Sequence, residues 1–256
     1  MLGFFRAAVL ALGTLSCGSA FADTVSLFTN QYSDYISQLG GDGGEFTAIT
    51  GAYSFSTSKA GLTSLGYVAN TIGQANGEYG FETFCLQQTV NFKTGTSYAY
   101  TTTDSFAPNG PLTKGVAWLY DQFATGVLNG YNYTTASVRT TDSAELQSAI
   151  WYLQGETPYN GYTASTIGND PFIADVLTQF TSLSNAEASD PAGGYNVAVM
   201  ALTYGNTPAQ DQLILIPPGQ GSGSVPDGGS TVGLLGLALA GLALVRRKLP
   251  LSFVRS

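Results

Sequence analysis

Apolar and β-branched residues concentrate in five stretches of the chain, and this pattern predicts strands. The five stretches are 46–56, 81–92, 97–103, 195–204 and 210–216. In the last two, apolar side chains alternate between the two faces, and Gly205-Asn206 opens the connection that joins them. We therefore predict that the last two strands pair as an antiparallel hairpin.

Three helices are predicted between these strands from apolar spacing and capping signals. The first rests on apolar residues at helical spacing after Pro111, namely Leu112, Val116, Tyr120, Phe123 and Val127. The second is predicted to begin at Asp142, with Glu145 as a capping-box partner, and to run to about Leu153. The third is predicted from Asp170 through Phe180. Strands that flank a helical insert predict an α+β fold, a β-sheet or barrel-like scaffold with an inserted helical subdomain.

The N-terminus has the features of a signal peptide. Arg6 precedes an apolar run at 7–15, and Ala20-Phe21-Ala22 stands directly before Asp23. A basic start, a short apolar stretch and an A-x-A exit predict a cleaved leader, residues 1–22. Lipid attachment at Cys17 is the alternative, but Thr14 stands where a lipoprotein signal usually carries leucine.

The C-terminal part predicts a linker followed by a membrane tail. The sequence GQGSGS at 219–224 is a flexible linker that separates the tail from an extracellular domain at 23–218. The run at 231–245 consists almost entirely of Gly, Ala, Leu and Val, which predicts a short membrane segment. Three cations follow it and keep that end, including 250–256, in the cytoplasm: Arg246, Arg247 and Lys248.

Charge narrows the classes of partner. Between Asp23 and Asp227 the chain has four basic residues against seventeen acidic ones, a net charge of −13. Such a balance favours solubility and excludes nucleic acid as a partner.

The composition also excludes several kinds of catalysis. Histidine is absent from the whole chain, which removes Ser-His-Asp and Cys-His mechanisms and the commonest zinc ligand. No run of acidic residues has calcium-loop spacing. A hydrolase with paired carboxylates has little support, because no two acids stand out in an apolar context. We therefore predict a protein that is not an enzyme and holds no metal or cofactor.

The number of cysteines limits the possible chemistry of the mature chain more than any other feature of its composition. Removal of the leader takes away Cys17 and leaves Cys85 alone, so the mature chain cannot form an internal disulfide. Cys85 falls in a predicted strand, on the face opposite to Phe84 and Leu86. On position alone, Cys85 is an inert buried thiol.

Gln147 is the second unusual residue. On a helical wheel the second predicted helix has an apolar arc of Leu146, Ala149, Ile150, Trp151 and Leu153. Gln147 points into this arc, and the opposite face carries Glu145, Ser148 and Tyr152. A side-chain amide among apolar groups needs hydrogen-bond partners, so the wheel alone favours a core glutamine bonded to the backbone.

Together, Phe84-Cys85 on a strand and the helical segment 146–151 resemble the thioester domains of bacterial surface adhesins. In that family a strand carries an aromatic-Cys pair, and a helix carries a T-Q-x-A-I-W motif. The resemblance implies that the Cys85 sulphur attacks the Gln147 side-chain carbonyl and expels ammonia, which leaves an internal thioester. An amine or hydroxyl of a surface ligand then displaces Cys85 and becomes covalently joined to Gln147.

The resemblance spans about 81–155 and implies a dry pocket around the bond, lined by Phe84, Ile150 and Trp151. Leu146 replaces the threonine of the family motif, which removes a hydroxyl beside the reactive glutamine. Gln154, one turn beyond Trp151, is a rival acyl donor.

The alternative function is a structural or carbohydrate-binding biofilm protein with the same fold and no bond. Four tyrosines would then offer a sugar-stacking surface: Tyr98, Tyr100, Tyr131 and Tyr133. Solvated strand faces are also commonly rich in tyrosine.

The tail resembles a PEP-CTERM sorting signal, because a motif, an apolar run and a basic cluster follow one another within 225–249. The motif V-P-D-G-G-S-T is formed by Val225, Pro226, Asp227, Gly228, Gly229, Ser230 and Thr231. The resemblance implies recognition and cleavage by a membrane exosortase. It also implies export to the cell surface or extracellular matrix, with a transient tether in the inner membrane.

Overall fold

The computed structural model describes residues 23–32, 43–51, 58–106, 110–157, 162–190 and 194–217. Contacts divide the chain into one unit at Ala22–Pro226 and a second made of Met1–Phe21 and Asp227–Ser256. The predicted leader, linker, sorting motif, membrane segment and basic cluster lie outside the described residues. Within the described ranges, no helix has both the length and the apolar character needed to cross a membrane.

The described residues form a mixed helix and antiparallel-sheet protein. The strands are β1 (Asp23–Thr29), β2 (Phe46–Thr50), β3 (Ile72–Ala75), β4 (Glu78–Thr83), β5 (Ser97–Thr103), β6 (Ser105–Phe106), β7 (Gly110–Pro111), β8 (Val197–Tyr204), β9 (Thr207–Pro208) and β10 (Gln212–Leu215). The helices are α1 (Lys59–Ser64), α2 (Lys114–Ala124), α3 (Ala136–Leu153), α4 (Pro171–Phe180) and α5 (Leu183–Ala186), with a 3-10 turn at Ile167–Asn169.

One sheet organises the domain. Its strands follow the order β10-β8-β5-β1-β2-β4-β3, all neighbours are antiparallel, and β9 pairs with β8. The strand order starts at β10 and ends at β3 without a closing ladder, so the sheet is open, and the β-sheet expectation is confirmed without a continuous barrel among the described strands. An isolated bridge between Cys85, just beyond β4, and Gln212 of β10 connects the two sides of this sheet. The predicted helical insert is confirmed, since α2 to α5 lie between β7 and β8 in the chain. The helices and the sheet share one hydrophobic core, so the insert is not a separate subdomain.

The predicted hairpin near the C-terminus is confirmed. Strand β10 pairs antiparallel with β8, with Gln212 opposite Met200 and Leu215 opposite Val197. Apolar residues of both strands are buried in the main core, which explains why their pattern predicted them well. Strands β1 and β3 were not predicted. Strand β2 ends at Thr50, and residues 52–56 of the strand predicted at 46–56 lie outside the described residues. The strand predicted at 81–92 ends early, at Thr83.

The first and third predicted helices are confirmed, with small changes at their ends. Helix α2 begins after Thr113, whose hydroxyl accepts a hydrogen bond from the Val116 N–H, and it stops before Gly126 at φ +75°. Val127 therefore falls outside the helix and is 61% exposed. Helix α4 begins after Asp170, whose carboxylate caps the helix.

Helix α3 begins at Ala136, six residues before the predicted start at Asp142. Asp142 lies inside the helix, where its Oδ2 accepts a hydrogen bond from the Asn132 N–H at 2.6 Å, so the capping box at Asp142 is wrong. Ser148 is fully buried although it lies on the face opposite to the apolar arc. From Asp142 to Leu153 the helix is buried on nearly every side, and for such a helix a wheel does not separate a core face from a solvent face.

Candidate functional site around Cys85 and Gln147

Cys85 lies just beyond the end of β4, where the chain meets β10. The Leu86 N–H donates to the Asp211 carbonyl at 3.0 Å, and the Leu213 N–H donates to the Phe84 carbonyl at 3.2 Å. These two bonds flank an isolated antiparallel bridge between Cys85 and Gln212. Cys85 and Gln212 thus form a non-hydrogen-bonded pair, the arrangement in which facing side chains approach most closely.

The same pairing explains how Gln147 reaches Cys85. In a non-hydrogen-bonded pair, the main-chain N–H and C=O of each residue point away from the opposite strand. Here they point to helix α3: the Cys85 N–H donates to Gln147 Oε1 at 3.0 Å, and Gln147 Nε2 donates to the Cys85 carbonyl at 2.7 Å. Cys85 and Gln147 are both fully buried. The structure therefore brings together the two residues that the sequence singled out.

A second main-chain donor reaches the same oxygen. The Gly44 N–H donates to Gln147 Oε1 at 3.3 Å, from a backbone with φ +89° that favours glycine. The next residue, Glu45, donates its N–H to Ser143 Oγ at 2.8 Å, which fixes this segment on α3. Two N–H groups thus converge on the oxygen where negative charge develops when a nucleophile adds to the amide carbon, as in an oxyanion hole.

An apolar wall surrounds the Cys85 side chain. Phe46, Ala144 and Trp151 form a buried cluster with Cys85, and the half-buried Phe92 packs against it. The rings of Phe46 and Phe92 meet edge to face, with 4.9 Å between their centroids. These apolar side chains keep water away from the Cys85 side chain.

The predicted pocket residues divide between two places. Trp151 lies in the cluster around Cys85. Phe84 and Ile150 belong to the main core, where the Phe84 ring packs edge to face on Phe123 at 4.9 Å. Phe46 and Phe92 take the lining role that the sequence assigned to Phe84 and Ile150, and no local motif connects them with Cys85.

Two other glutamines distinguish the site further. Gln154, the rival acyl donor, accepts from the Thr113 N–H at 3.1 Å and donates to the Pro111 carbonyl at 3.0 Å, at the start of α2. Gln212 was not predicted, yet its Nε2 donates to the Cys85 sulphur at 3.3 Å. A glutamine at an inward position of an apolar strand was the available signal for Gln212.

A buried ion pair lies directly behind the site. Arg139, eight residues before Gln147 on α3, forms a bidentate ion pair with Glu45, and its Nε donates to Glu45 Oε2 at 2.9 Å. The Tyr131 hydroxyl donates to the same oxygen at 2.7 Å. Burial raises the pKa of Glu45, and the hydrogen bonds and charge of Arg139 act in the opposite direction. Burial lowers the pKa of Arg139, but Glu45 outweighs it and the net shift is upward.

A second buried carboxyl lies nearby on β4. Glu82 is hydrogen-bonded to the Thr47 hydroxyl at 2.9 Å and to Asn30 Nδ2 at 2.6 Å. Burial, followed by the charge of Glu45, raises the pKa of Glu82 to about 8. Glu45 and Glu82 are therefore two buried acids that act on one another, a pair that no sequence pattern indicated. Both are almost completely enclosed and held by side-chain partners, so the geometry favours a structural role.

The predicted tyrosine surface is wrong. Tyr98, Tyr100 and Tyr131 are only 5%, 3% and 6% exposed, and all three belong to the main core. Tyr133 is half-buried, with its ring stacked on Phe123 at 5.9 Å. Within the described part of the chain, no group of three or more Cys, Asp or Glu side chains is arranged to hold a metal ion.

Comparison with known proteins identifies a known motif in one part of the chain, its C-terminal segment. A family model described as the VPDSG-CTERM motif matches residues 224–249. The chain has Gly228 where the motif name has serine. No curated protein and no solved structure matches the chain significantly.

The chain therefore carries a C-terminal sorting motif of the PEP-CTERM kind. This motif supports an exported, surface-associated protein, and it implies processing by an exosortase-type membrane enzyme. The match includes neither Cys85 nor Gln147, so it bears on the destination of the protein and not on the chemistry of the site.

Proposed function

We propose that the domain forms an internal thioester between Cys85 and Gln147, and that the exported protein uses this bond to attach itself covalently to a surface ligand. The observation that carries the proposal is the Gln147 amide, held against the Cys85 main chain by hydrogen bonds of 3.0 Å and 2.7 Å. These bonds hold the amide carbon beside the residue that bears the sulphur.

The bond forms by exchange of nitrogen for sulphur on one acyl carbon. The Cys85 sulphur adds to the Gln147 amide carbon, and the Cys85 and Gly44 N–H groups stabilise the oxygen of the tetrahedral intermediate. The carbon–nitrogen bond then breaks, and the thiol proton leaves with the nitrogen as ammonia. A nucleophile on the ligand later adds to the same carbon and expels the Cys85 thiol. Because each bond reacts once, the protein is not a turnover enzyme.

Burial supports storage of the bond until a ligand arrives. Cys85, Gln147 and Trp151 are fully buried, and Phe92 is the half-buried member of the surrounding cluster. Exclusion of water protects a thioester from hydrolysis. The sorting motif supports a destination where covalent attachment is useful, the cell surface or extracellular matrix.

The alternative is a structural or carbohydrate-binding matrix protein without the bond. One observation favours it: both polar atoms of the Gln147 side chain already have main-chain partners, which is how a core glutamine behaves. Leu146 in place of the motif threonine favours the same alternative.

Intact mass of the purified domain separates the two. We expect the wild-type chain to be lighter by one ammonia molecule than its sequence requires, and the Cys85→Ala and Gln147→Ala variants to have full mass. Gln154→Ala is the matched control, because Gln154 is also a buried glutamine near the end of α3, and it should keep the mass loss. A wild-type chain of full mass, with a Cys85 that reacts with a thiol reagent, would overturn the proposal.

Replacing Phe92 by alanine should shorten the lifetime of the thioester. The change removes the ring that packs on Phe46 and gives water access to the Cys85 cluster. Because Phe92 is only half-buried, we expect a modest loss of folding free energy, about 1–2 kcal/mol. The measurement is the rate at which the chain gains the mass of one water molecule in buffer. Tyr204→Ala, at an aromatic that is 64% exposed, is the control, and equal lifetimes in the two variants would contradict the protective role of Phe92.

A further inference from the structure

Gln212 brings a side-chain amide to within hydrogen-bond distance of the Cys85 sulphur. It is fully buried, and the bridge register sets its side chain opposite Cys85. Its Nε2 donates to the Cys85 sulphur at 3.3 Å and to the Gln210 carbonyl at 3.3 Å. The Gln210 carbonyl can only accept a hydrogen bond, so it must face the amide nitrogen, and this contact sets the orientation of the Gln212 amide.

The oxygen of the same amide lacks a hydrogen-bond donor among the described residues. Gln212 Oε1 is buried and has no hydrogen-bond partner within the described residues. A buried acceptor without a donor has lost its hydrogen bonds to water without replacement, and in native proteins such a group calls for an explanation. A leucine would fill the position without this cost, so stability alone does not account for the glutamine.

We infer that Gln212 is the third member of the thioester site, binding the sulphur through Nε2 and the attacking amine through Oε1. This inference rests on the proposed function. The Nε2–H group stabilises the negative charge on sulphur when Cys85 attacks Gln147 and again when Cys85 is displaced. The empty Oε1 acceptor takes an N–H of the departing ammonia and, in the second reaction, an N–H of the incoming nucleophile.

The same group selects the class of nucleophile. A neutral primary amine attacks with its lone pair while one N–H donates to Gln212 Oε1, and the departing sulphur takes up a proton. A hydroxyl must lose its only proton to a base during attack, and a carboxamide oxygen is not a base at neutral pH. The chain contains no histidine to replace it. The expected substrate class is therefore a primary amine, such as the side chain of lysine on a surface protein or an amino sugar.

The test measures capture of methylamine by the purified domain, followed by intact mass. Gln212→Leu should slow capture about 10- to 100-fold, the factor produced by loss of a hydrogen bond to a charged group. Gln154→Leu removes another buried amide away from the sulphur and should capture at the wild-type rate. Glycerol, offered at the same concentration, should react far more slowly than methylamine.

A second variant separates chemistry from folding. Gln212→Glu keeps the shape of the side chain and donates to sulphur only when its carboxyl is protonated. The ratio of its capture rate to that of Gln212→Leu should therefore rise as the pH falls, and a purely structural role would leave this ratio constant. A wild-type chain of full mass would overturn the proposed function itself. Two results would overturn only the assignment of Gln212, provided that the wild-type chain shows the mass loss. The first is equal capture rates in Gln212→Leu and Gln154→Leu, and the second is equal rates for methylamine and glycerol.

Discussion

Replacing Arg139 by methionine should lower the free energy of unfolding by about 3–5 kcal/mol, the typical cost of removing one partner of a buried ion pair. Arg139 is 3% exposed and Glu45 is fully buried, so the variant leaves a carboxylate without its counter-charge and without access to water. The guanidinium also donates to the Asn70 carbonyl at 2.7 Å and to the Tyr133 carbonyl at 2.9 Å, and both acceptors lose that donor. Urea unfolding followed by tryptophan fluorescence measures the effect.

Two further variants test whether the unpaired charge is the cause. Adding Glu45→Gln to Arg139→Met removes the charge and should recover a substantial part of the lost stability. Lys59→Met, on the exposed helix α1, should change stability by less than about 0.5 kcal/mol. No recovery in the double variant would contradict the explanation, because the loss would then come from packing.

Replacing Glu82 by glutamine should remove a large part of the pH dependence of stability. The pKa of Glu82 is raised from 4.5 to about 8 in the folded state, so the folded chain holds this proton more tightly than the unfolded chain. The stability contributed by this group is therefore fully present below pH 4.5 and is lost as the pH rises through 8. Between these values the loss amounts to about 1.4 kcal/mol per pH unit.

The measurement compares urea unfolding of the wild type and Glu82→Gln from about pH 5 to about pH 9, with the slope set by linkage. Glutamine cannot ionise and keeps an oxygen for hydrogen bonding with Thr47, so the variant should become the more stable chain at the alkaline end. Glu78→Gln, at an exposed position on the same strand, is the control. Wild-type and Glu82→Gln curves that remain parallel would show that Glu82 does not titrate between its unfolded and folded pKa values.

The fold was predictable where local signals agree with burial. Alternation located β8 and β10, and Asp170-Pro171 located the start of α4. The start of α3 escaped prediction because its first two turns are polar. Of the residues in these turns, 136–141, Arg139 alone is buried, and it is buried through its ion pair with Glu45, which lies 94 residues earlier in the chain. No periodicity within the helix encodes that contact.

The site was predictable only in its two central residues. Cys85 and Gln147 stand in recognisable segments, but the groups that complete their environment come from elsewhere. Gly44 precedes Gln147 by 103 residues, and Gln212 follows Cys85 by 127. Each is a common residue type in an ordinary segment. Gly44 gains its role from the packing of its segment on α3, and Gln212 gains its role from the register between Cys85 and β10. Sequence patterns report local periodicity, whereas these contacts depend on the assembled sheet.

The bridge between Cys85 and β10 also has a consequence for timing. During synthesis and export, N-terminus first, Cys85 and Gln147 appear long before Gln212, which lies on the last described strand. Contacts of such sequence separation form late in folding, because loop closure has to be completed first. On the proposed function, the thioester between Cys85 and Gln147 does not form while the chain is still extended. It forms when the folding of the domain is complete. A truncated or stalled chain that lacks β10 is therefore expected to carry Cys85 as an ordinary thiol rather than as a thioester.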